Sequence, residues 1–290
     1  MTPDRFRNFA AVDWSGAAGE RHRGIAVALM REGEPVPQLV RPEHRWSRAE
    51  VLAWLIAEMP ANTLVGFDMG ISLAHADAGT YFPGWAESPS DARALWALVE
   101  AVCAADPHLS VTRFVDHSEA ARHFRRHGGR EGDLFGGGRG RFRVTERAQE
   151  LLGCKPYSNF NLVGAAQVGK SSLSGMRLLH RLHGQIPVWP VDPLPGSGSV
   201  VVEIYTTIAA MAAGRTAGRS KIRTYEDLND ALTALKCDAI AGTGAIADHA
   251  SDALITAAWL RGAARDPALW QPSALTDQIA RTEGWTFGAR

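Results

Sequence analysis

Four carboxylates stand where apolar runs stop or start. Phe9-Ala10-Ala11-Val12 ends in Asp13, Leu64-Val65-Gly66-Phe67 in Asp68 and Val200-Val201-Val202 in Glu203, while Asp252 opens the stretch Ala253-Leu254-Ile255. Acids gathered from separate elements repel one another unless a cation lies between them. Carboxylate oxygens suit hard divalent ions, so the expected occupant is Mg²⁺ or Mn²⁺. Two such ions about 4 Å apart can activate water and stabilise a leaving oxygen in phosphodiester hydrolysis, with no side chain as nucleophile. Singly, each acid has a structural explanation. An Asp after a strand bonds its own following backbone, and one near a helix start favours the positive end of the dipole. Together, the four acids make a site the stronger reading. Asp248 and His249 lie four and three residues before Asp252 on the same helix face, so both are candidates for supporting roles behind the ligands.

The elements that position these acids are legible. Short apolar runs bounded by turn residues read as strands of an α/β sheet buried on both faces. Their last residues lie at the carboxyl end, where open α/β sheets bind ligands. The first third predicts three strands, a helix and a fourth strand. The third strand falls between about Gln38 and Trp46, and the helix starts at the capping box Ser47-Arg48-Ala49-Glu50. Short turns make the first three strands antiparallel, and the helix crossover lets the fourth run parallel to the first. Asp13 and Asp68 then end neighbouring strands about 4.8 Å apart. From about 70 to 199 the sequence predicts a mostly helical insertion on a single α/β domain spanning 1–290. Its helices are expected at Asp91 to Ala105, Asp116 to His127, Thr145 to Leu152 and Leu173 to His183. Helices near Thr224 and from Ile246 to Ala264 follow, then a terminal strand at Trp285-Thr286-Phe287.

Composition narrows the class. The 290 residues are 46% hydrophobic and 21% charged with a formal net charge of zero, so no global field draws the chain to a polyanion. Cys103, Cys154 and Cys237 are scattered, which argues against a disulfide framework or zinc knuckle and for a reducing, cytoplasmic home. No run approaches membrane-spanning length, and no signal peptide is predicted.

Local charge is another matter. Arg122, Arg125, Arg126, Arg130, Arg139, Arg141, Arg143 and Arg147 crowd a glycine-rich stretch, offset between 121 and 147 only by Glu131, Asp133 and Glu146. Guanidinium forks suit phosphate oxygens, so this stretch, with Arg139, Arg141 and Arg143 at its centre, is expected to grip a nucleic-acid backbone. Lys170 is a further substrate-binding candidate. It belongs to Gly164-Ala165-Ala166-Gln167-Val168-Gly169-Lys170-Ser171, which matches the phosphate-binding P-loop pattern letter for letter. That motif needs a buried strand before it, and Tyr157 to Val163 is a poor strand with two asparagines, so the match reads as accidental.

As a set, Ala11-Val12-Asp13, Gly66-Phe67-Asp68, Val202-Glu203-Ile204-Tyr205 and Ser251-Asp252-Ala253-Leu254 resembles the domain of unknown function 429 family, described as predicted nucleases of the RNase H-like fold. Arg143-Val144-Thr145-Glu146, Gln167-Val168-Gly169 and Val188-Trp189-Pro190 extend the likeness over nearly the whole chain. His249-Ala250-Ser251-Asp252-Ala253 is also similar to the last acidic motif of RuvC-type Holliday-junction resolvases. The resemblance implies an RNase H-like mixed sheet, Asp13, Asp68 and Asp252 as metal ligands, Glu203 as a fourth acid, and nuclease activity on DNA or RNA. Two alternatives compete. One is an ATP-dependent phosphotransferase of the actin-like or sugar-kinase fold, which shares the β-β-β-α-β core but usually in two copies. The other is a nucleic-acid-binding module without turnover.

Overall fold

The first strand, β1 (Asn8–Asp13), feeds two cores at once. Ala10 and Val12 pack into one apolar cluster and Phe9 and Ala11 into another, as the two-residue period of a strand requires. The computed structural model describes residues 5–163 and 168–290. After β1 come β2 (Ala26–Arg31) and β3 (Gln38–Leu39), each antiparallel to its predecessor. β3 stops well short of Trp46. Arg41 and Glu43 on either side of Pro42 take φ of 55° and 64°, which ends extended pairing there. Helix α1 (Arg48–Ala57) starts at the expected box: Glu50 N–H donates to Ser47 Oγ at 3.1 Å and Ser47 N–H to Glu50 Oε2 at 2.7 Å. It crosses to β4 (Thr63–Asp68), which runs parallel to β1.

The next stretch carries α2 (Ala92–Val102), α3 (Thr112–Val115), the short ladder of β5 (Arg125–Arg126) with β6 (Arg130–Glu131), α4 (Val144–Leu151), α5 (Val168–Arg181) and β7 (Val188–Trp189). The helix expected over Asp116 to His127 is only a 3₁₀ turn at Ala120–His123. Phe124 is extended instead, and its ring packs on Phe82 and Phe160 in an aromatic cluster that an added helical turn would pull apart. α2 and α5 cover the first face of the sheet with α1. β7 joins the sheet itself, so the insertion supplies an edge strand as well as helices.

Beyond it come β8 (Val200–Glu203), α6 (Thr206–Ala212), α7 (Tyr225–Ala234), α8 (Asp248–Ala263), α9 (Pro267–Trp270) and α10 (Asp277–Thr282). The result is an α/β protein with a mixed six-stranded sheet ordered β3-β2-β1-β4-β8-β7, in which β1, β4, β8 and β7 run parallel. Among the described residues the antiparallel three-strand start occurs once, with no second copy. No helix among them is long and apolar enough to cross a membrane. The three cysteines are buried and unpaired.

Helix α8 lies across the second face, against β1 and β2, and Gly66 allows its close approach. A Cβ there would sit 2.6 Å from Ile204 Cγ2 and 3.2 Å from Leu260 Cδ1. Residues 283–289 are threaded inward. Trp285, Phe287 and Ala289 are fully buried, the Phe287 N–H donates to the Glu203 carbonyl at 2.8 Å, and Thr286 forms a single bridge to Glu203 in place of a strand. The Glu283 carboxylate takes N–H groups from His75, Ala76 and Val144 at 2.6–2.8 Å, tying this segment to the loop at His75 and to the start of α4.

Candidate functional site

Register and parity decide which acids meet. Asp13 and Asp68 are Cα partners at the carboxyl ends of β1 and β4. Residues 9 and 11 of β1, with Leu64 of β4, face the core under α8, so Asp13 and Asp68 project to that same side. Asp252, one turn into α8, is buried there at 4% exposure. Glu203 has the other parity. Val200 and Val202 face α8, Glu203 pairs with Phe67, and its side chain points to the opposite face of the sheet. Three acids therefore share one side, and the fourth leaves it.

Glu203 is spent on structure. Its Oε1 accepts from Arg143 Nη2 at 2.6 Å and from the Thr286 hydroxyl, and its Oε2 from Arg143 Nη1 and the Ile71 N–H, both at 2.8 Å. Arg143 also binds Glu146 through Nε at 2.8 Å. All three side chains are buried, and the two carboxylates hold the Arg143 guanidinium above its ordinary value despite burial. This triad lines one wall of the cleft as a fixed structural knot. The expectation that Arg143 grips substrate is corrected: its donors are used inside the protein.

The cleft above Asp13 and Asp68 measures about 600 Å³ and is bounded by the loop after β1, the start of α6 and Lys221. The nearby Thr206 N–H favours the ionised Asp68. Its carboxyl is nonetheless pushed well above the usual carboxylate range, first by burial and then by Asp13 and Asp252. Burial, with smaller contributions from Asp13 and Asp248, raises Asp252 to about 6 although Lys221 opposes it. His249 Nδ1 shares a 2.8 Å hydrogen bond with Asp13 Oδ2, and that bond raises the imidazole above its ordinary value. Asp248 is turned outward to Arg223, 3.3 Å from its Nε, and does not line the cleft.

Lys221 is the site residue that sequence reasoning misses. Its ammonium bonds Asp252 Oδ2. Burial works against the charge, yet Asp252, Asp13 and Asp68 hold it above the usual lysine value. The adjacent Ile222 fixes it in place, being 1% exposed with its carbonyl accepting from Ser251 Oγ of α8 at 2.7 Å. Three acids thus surround one lysine, with the His249 imidazole at the rim. Among the described residues no group of three His, Cys, Asp or Glu side chains is arranged to hold a metal ion. The donor chemistry suits Mg²⁺ or Mn²⁺; the arrangement with the Lys221 ammonium in the cup does not.

The arginine-rich stretch is also rewritten by the fold. Arg122 pairs with Glu119 and Asp133, Arg125 with Glu131, Arg126 with Asp116, and Arg139 and Arg147 with Glu150. Arg141 pairs with Asp77 and donates to the carbonyls of Ala74, Thr80 and Tyr81. Many of these acids come from outside the 121–147 window, so a local charge count overstates the free charge. Arg141 is an anchor, and of the three expected contacts only Arg139 remains on the surface. Of the P-loop match, residues 164–167 lie outside the described residues. Residues 154–163 contain no strand, only an isolated bridge at Asn161, so the buried strand that motif requires is missing there. Lys170 opens into a neighbouring cavity instead of the acid cleft.

No family model, no curated protein and no solved structure matches this chain.

Proposed function

We propose that the protein is a metal-dependent phosphodiesterase acting on nucleic acid, an RNase H-like nuclease, with Asp13, Asp68 and Asp252 as the ligands of Mg²⁺ or Mn²⁺. The observation that carries the reading is the mutual repulsion of these three acids on one face of the sheet, which a single lysine offsets incompletely. Asp13, Asp68 and Asp252 would hold a divalent ion, which would offset that repulsion in place of the Lys221 ammonium, whose side chain is 54% exposed. When bound, the ion would supply an activated water and stabilise the leaving oxygen. The chain's own residues do the rest. The Thr206 N–H favours the Asp68 carboxylate, and His249 holds Asp13 and stands where it can exchange a proton at the rim. Tyr157, 53% exposed at the cleft edge, offers a ring on which an unpaired base can stack. The parallel β1–β4 pair following an antiparallel three-strand start supports the RNase H-like assignment, as does the likeness of the acidic motifs to the domain of unknown function 429 family.

The test is cleavage of short labelled DNA and RNA oligonucleotides in Mn²⁺ and in EDTA, with Asp13→Asn, Asp68→Asn and Lys221→Met variants. Wild type cuts only with metal, and both Asn variants lose cleavage. Lys221→Met gains a larger Mn²⁺-induced thermal shift than wild type because its competitor for the cup is gone. Cleavage that survives unchanged in both Asn variants refutes the assignment.

A further inference from the structure

A second cavity, about 150 Å³, lies behind the loop that follows Asp13 and is lined by Gly16, Ala17, Arg48, Arg126, Arg130 and Lys170. Gly16 and Ala17 line the acid cleft as well, so one loop forms the wall between the two spaces. That wall is packed tightly on the start of α5. The Gly16 N–H donates to Ser171 Oγ at 3.1 Å, and a Cβ on Gly16 would come within 2.3 Å of the Ser171 nitrogen.

The charges around this cavity do not balance. Arg126 and Arg130 are direct cross-strand partners on the β5–β6 ladder, an arrangement that destabilises a ladder when both side chains carry like charge. Asp116 is the one acid in the lining, and it binds Arg126 Nη1 at 3.0 Å. Arg126 Nε is buried with no hydrogen-bond partner. Arg130 donates to the carbonyl of His127 in its own turn, and Lys170 has no partner among the described residues. Arg48 is 1% exposed and bonds only to the carbonyls of Ser15, Ala17 and His108. Burial and the neighbouring Arg177 bring it down to about 10, so it still adds a full positive charge. Four cations face one carboxylate across a space equal to about five waters of liquid, enough for a tetrahedral anion and too small for a nucleoside.

We propose that this cavity is a phosphate subsite: Arg126, Arg130 and Lys170, backed by Arg48, hold a phosphoryl group beside the acid cleft. Resting on the nuclease reading, the group is a backbone phosphate a few nucleotides from the diester at Asp13 and Asp68. Ala17, which lines both spaces, is four residues from Asp13, at most about 14 Å of extended chain, a separation within the span of a few nucleotides. A free phosphate or small phosphorylated ligand presents the same chemistry, and the experiment separates the two.

Binding is measured in EDTA, where no cleavage occurs, by calorimetry with inorganic phosphate and by anisotropy with a short labelled single-stranded oligonucleotide over a range of salt. The variants are Lys170→Gln and Arg130→Gln, singly and together, each checked for an unchanged melting curve. The double variant is expected to lose inorganic phosphate binding, to bind the oligonucleotide at least tenfold more weakly, and to show a salt slope shallower by about 0.7 for the lost contact. Loss of phosphate binding with unchanged oligonucleotide binding supports the subsite and assigns it to a free phosphate. Unchanged binding of both ligands overturns the proposal. Because these readouts need no turnover, an absence of wild-type cleavage sinks the nuclease reading without touching this one.

Discussion

Replacing Asp252 by asparagine isolates the electrostatic strain of the acid cup. The wild-type carboxyl titrates at about 6, against an ordinary value of 3.8. Between those values the folded protein holds a proton that the unfolded chain has released, so stability falls as pH rises from about 4 to about 6. A difference of about two pH units at 1.36 kcal/mol each comes to about 3 kcal/mol. The side chain is 4% exposed, so solvent screening removes little of this. The amide of the Asp252→Asn variant does not titrate, and its neutrality also relieves Asp68, whose upward push comes partly from Asp252. The raised His249 acts at higher pH, and its shift comes first from the Asp13 hydrogen bond, which the variant keeps, with Asp252 the last of its causes. With about 2.1 cal/mol/K of unfolding entropy per residue, 3 kcal/mol in 290 residues is a Tm difference of about 5 °C. Thermal melts from pH 4 to pH 7.5 in EDTA therefore show wild type losing about 5 °C relative to Asp252→Asn. Saturating Mn²⁺ restores most of the loss to wild type and none to the variant. Parallel Tm–pH curves in EDTA would falsify the account of a repelled carboxyl.

The buried triad and the rim histidine give two further outcomes. Arg143→Leu leaves Glu146 and Glu203 buried without their guanidinium and is expected to destabilise the fold by about 3–5 kcal/mol in denaturant unfolding; a loss under about 1 kcal/mol refutes the structural role given to the triad. His249 is expected to titrate above 6.5 in NMR and to drop toward the ordinary value in Asp13→Asn. Its share of stability is fully present at low pH and is lost as pH rises through the folded value. A histidine indifferent to Asp13→Asn contradicts the hydrogen bond.

The sheet was readable because its signals are local: apolar runs, turn residues and a capping box placed β1, β2, α1 and β4, and the crossover rule fixed Asp13 beside Asp68. Parity was available too. Once Phe67 pairs with Glu203, the two-residue period sends that acid to the opposite face, but the register of β8 depends on long-range pairing that a linear reading does not supply. The arginine stretch misled for the same reason, since Asp77, Asp116 and Glu203 reach it only through tertiary contact. Lys221 left a faint mark. The chain uses arginine for most of its cations and has only four lysines, of which Lys170 and Lys221 line the two cavities described above. Choice of lysine in an arginine-rich chain was a usable pointer.

The inward threading of residues 283–289 has a consequence for biosynthesis. Glu203 and Arg143 cannot complete their hydrogen bonds, nor can the loop at His75 and the start of α4 be clasped, until that stretch has been made and has found its groove. Every strand of the sheet precedes that segment and can pair without it, whereas a chain lacking residues 283–289 would leave groups on Arg143, Glu203, His75 and Val144 buried without these partners.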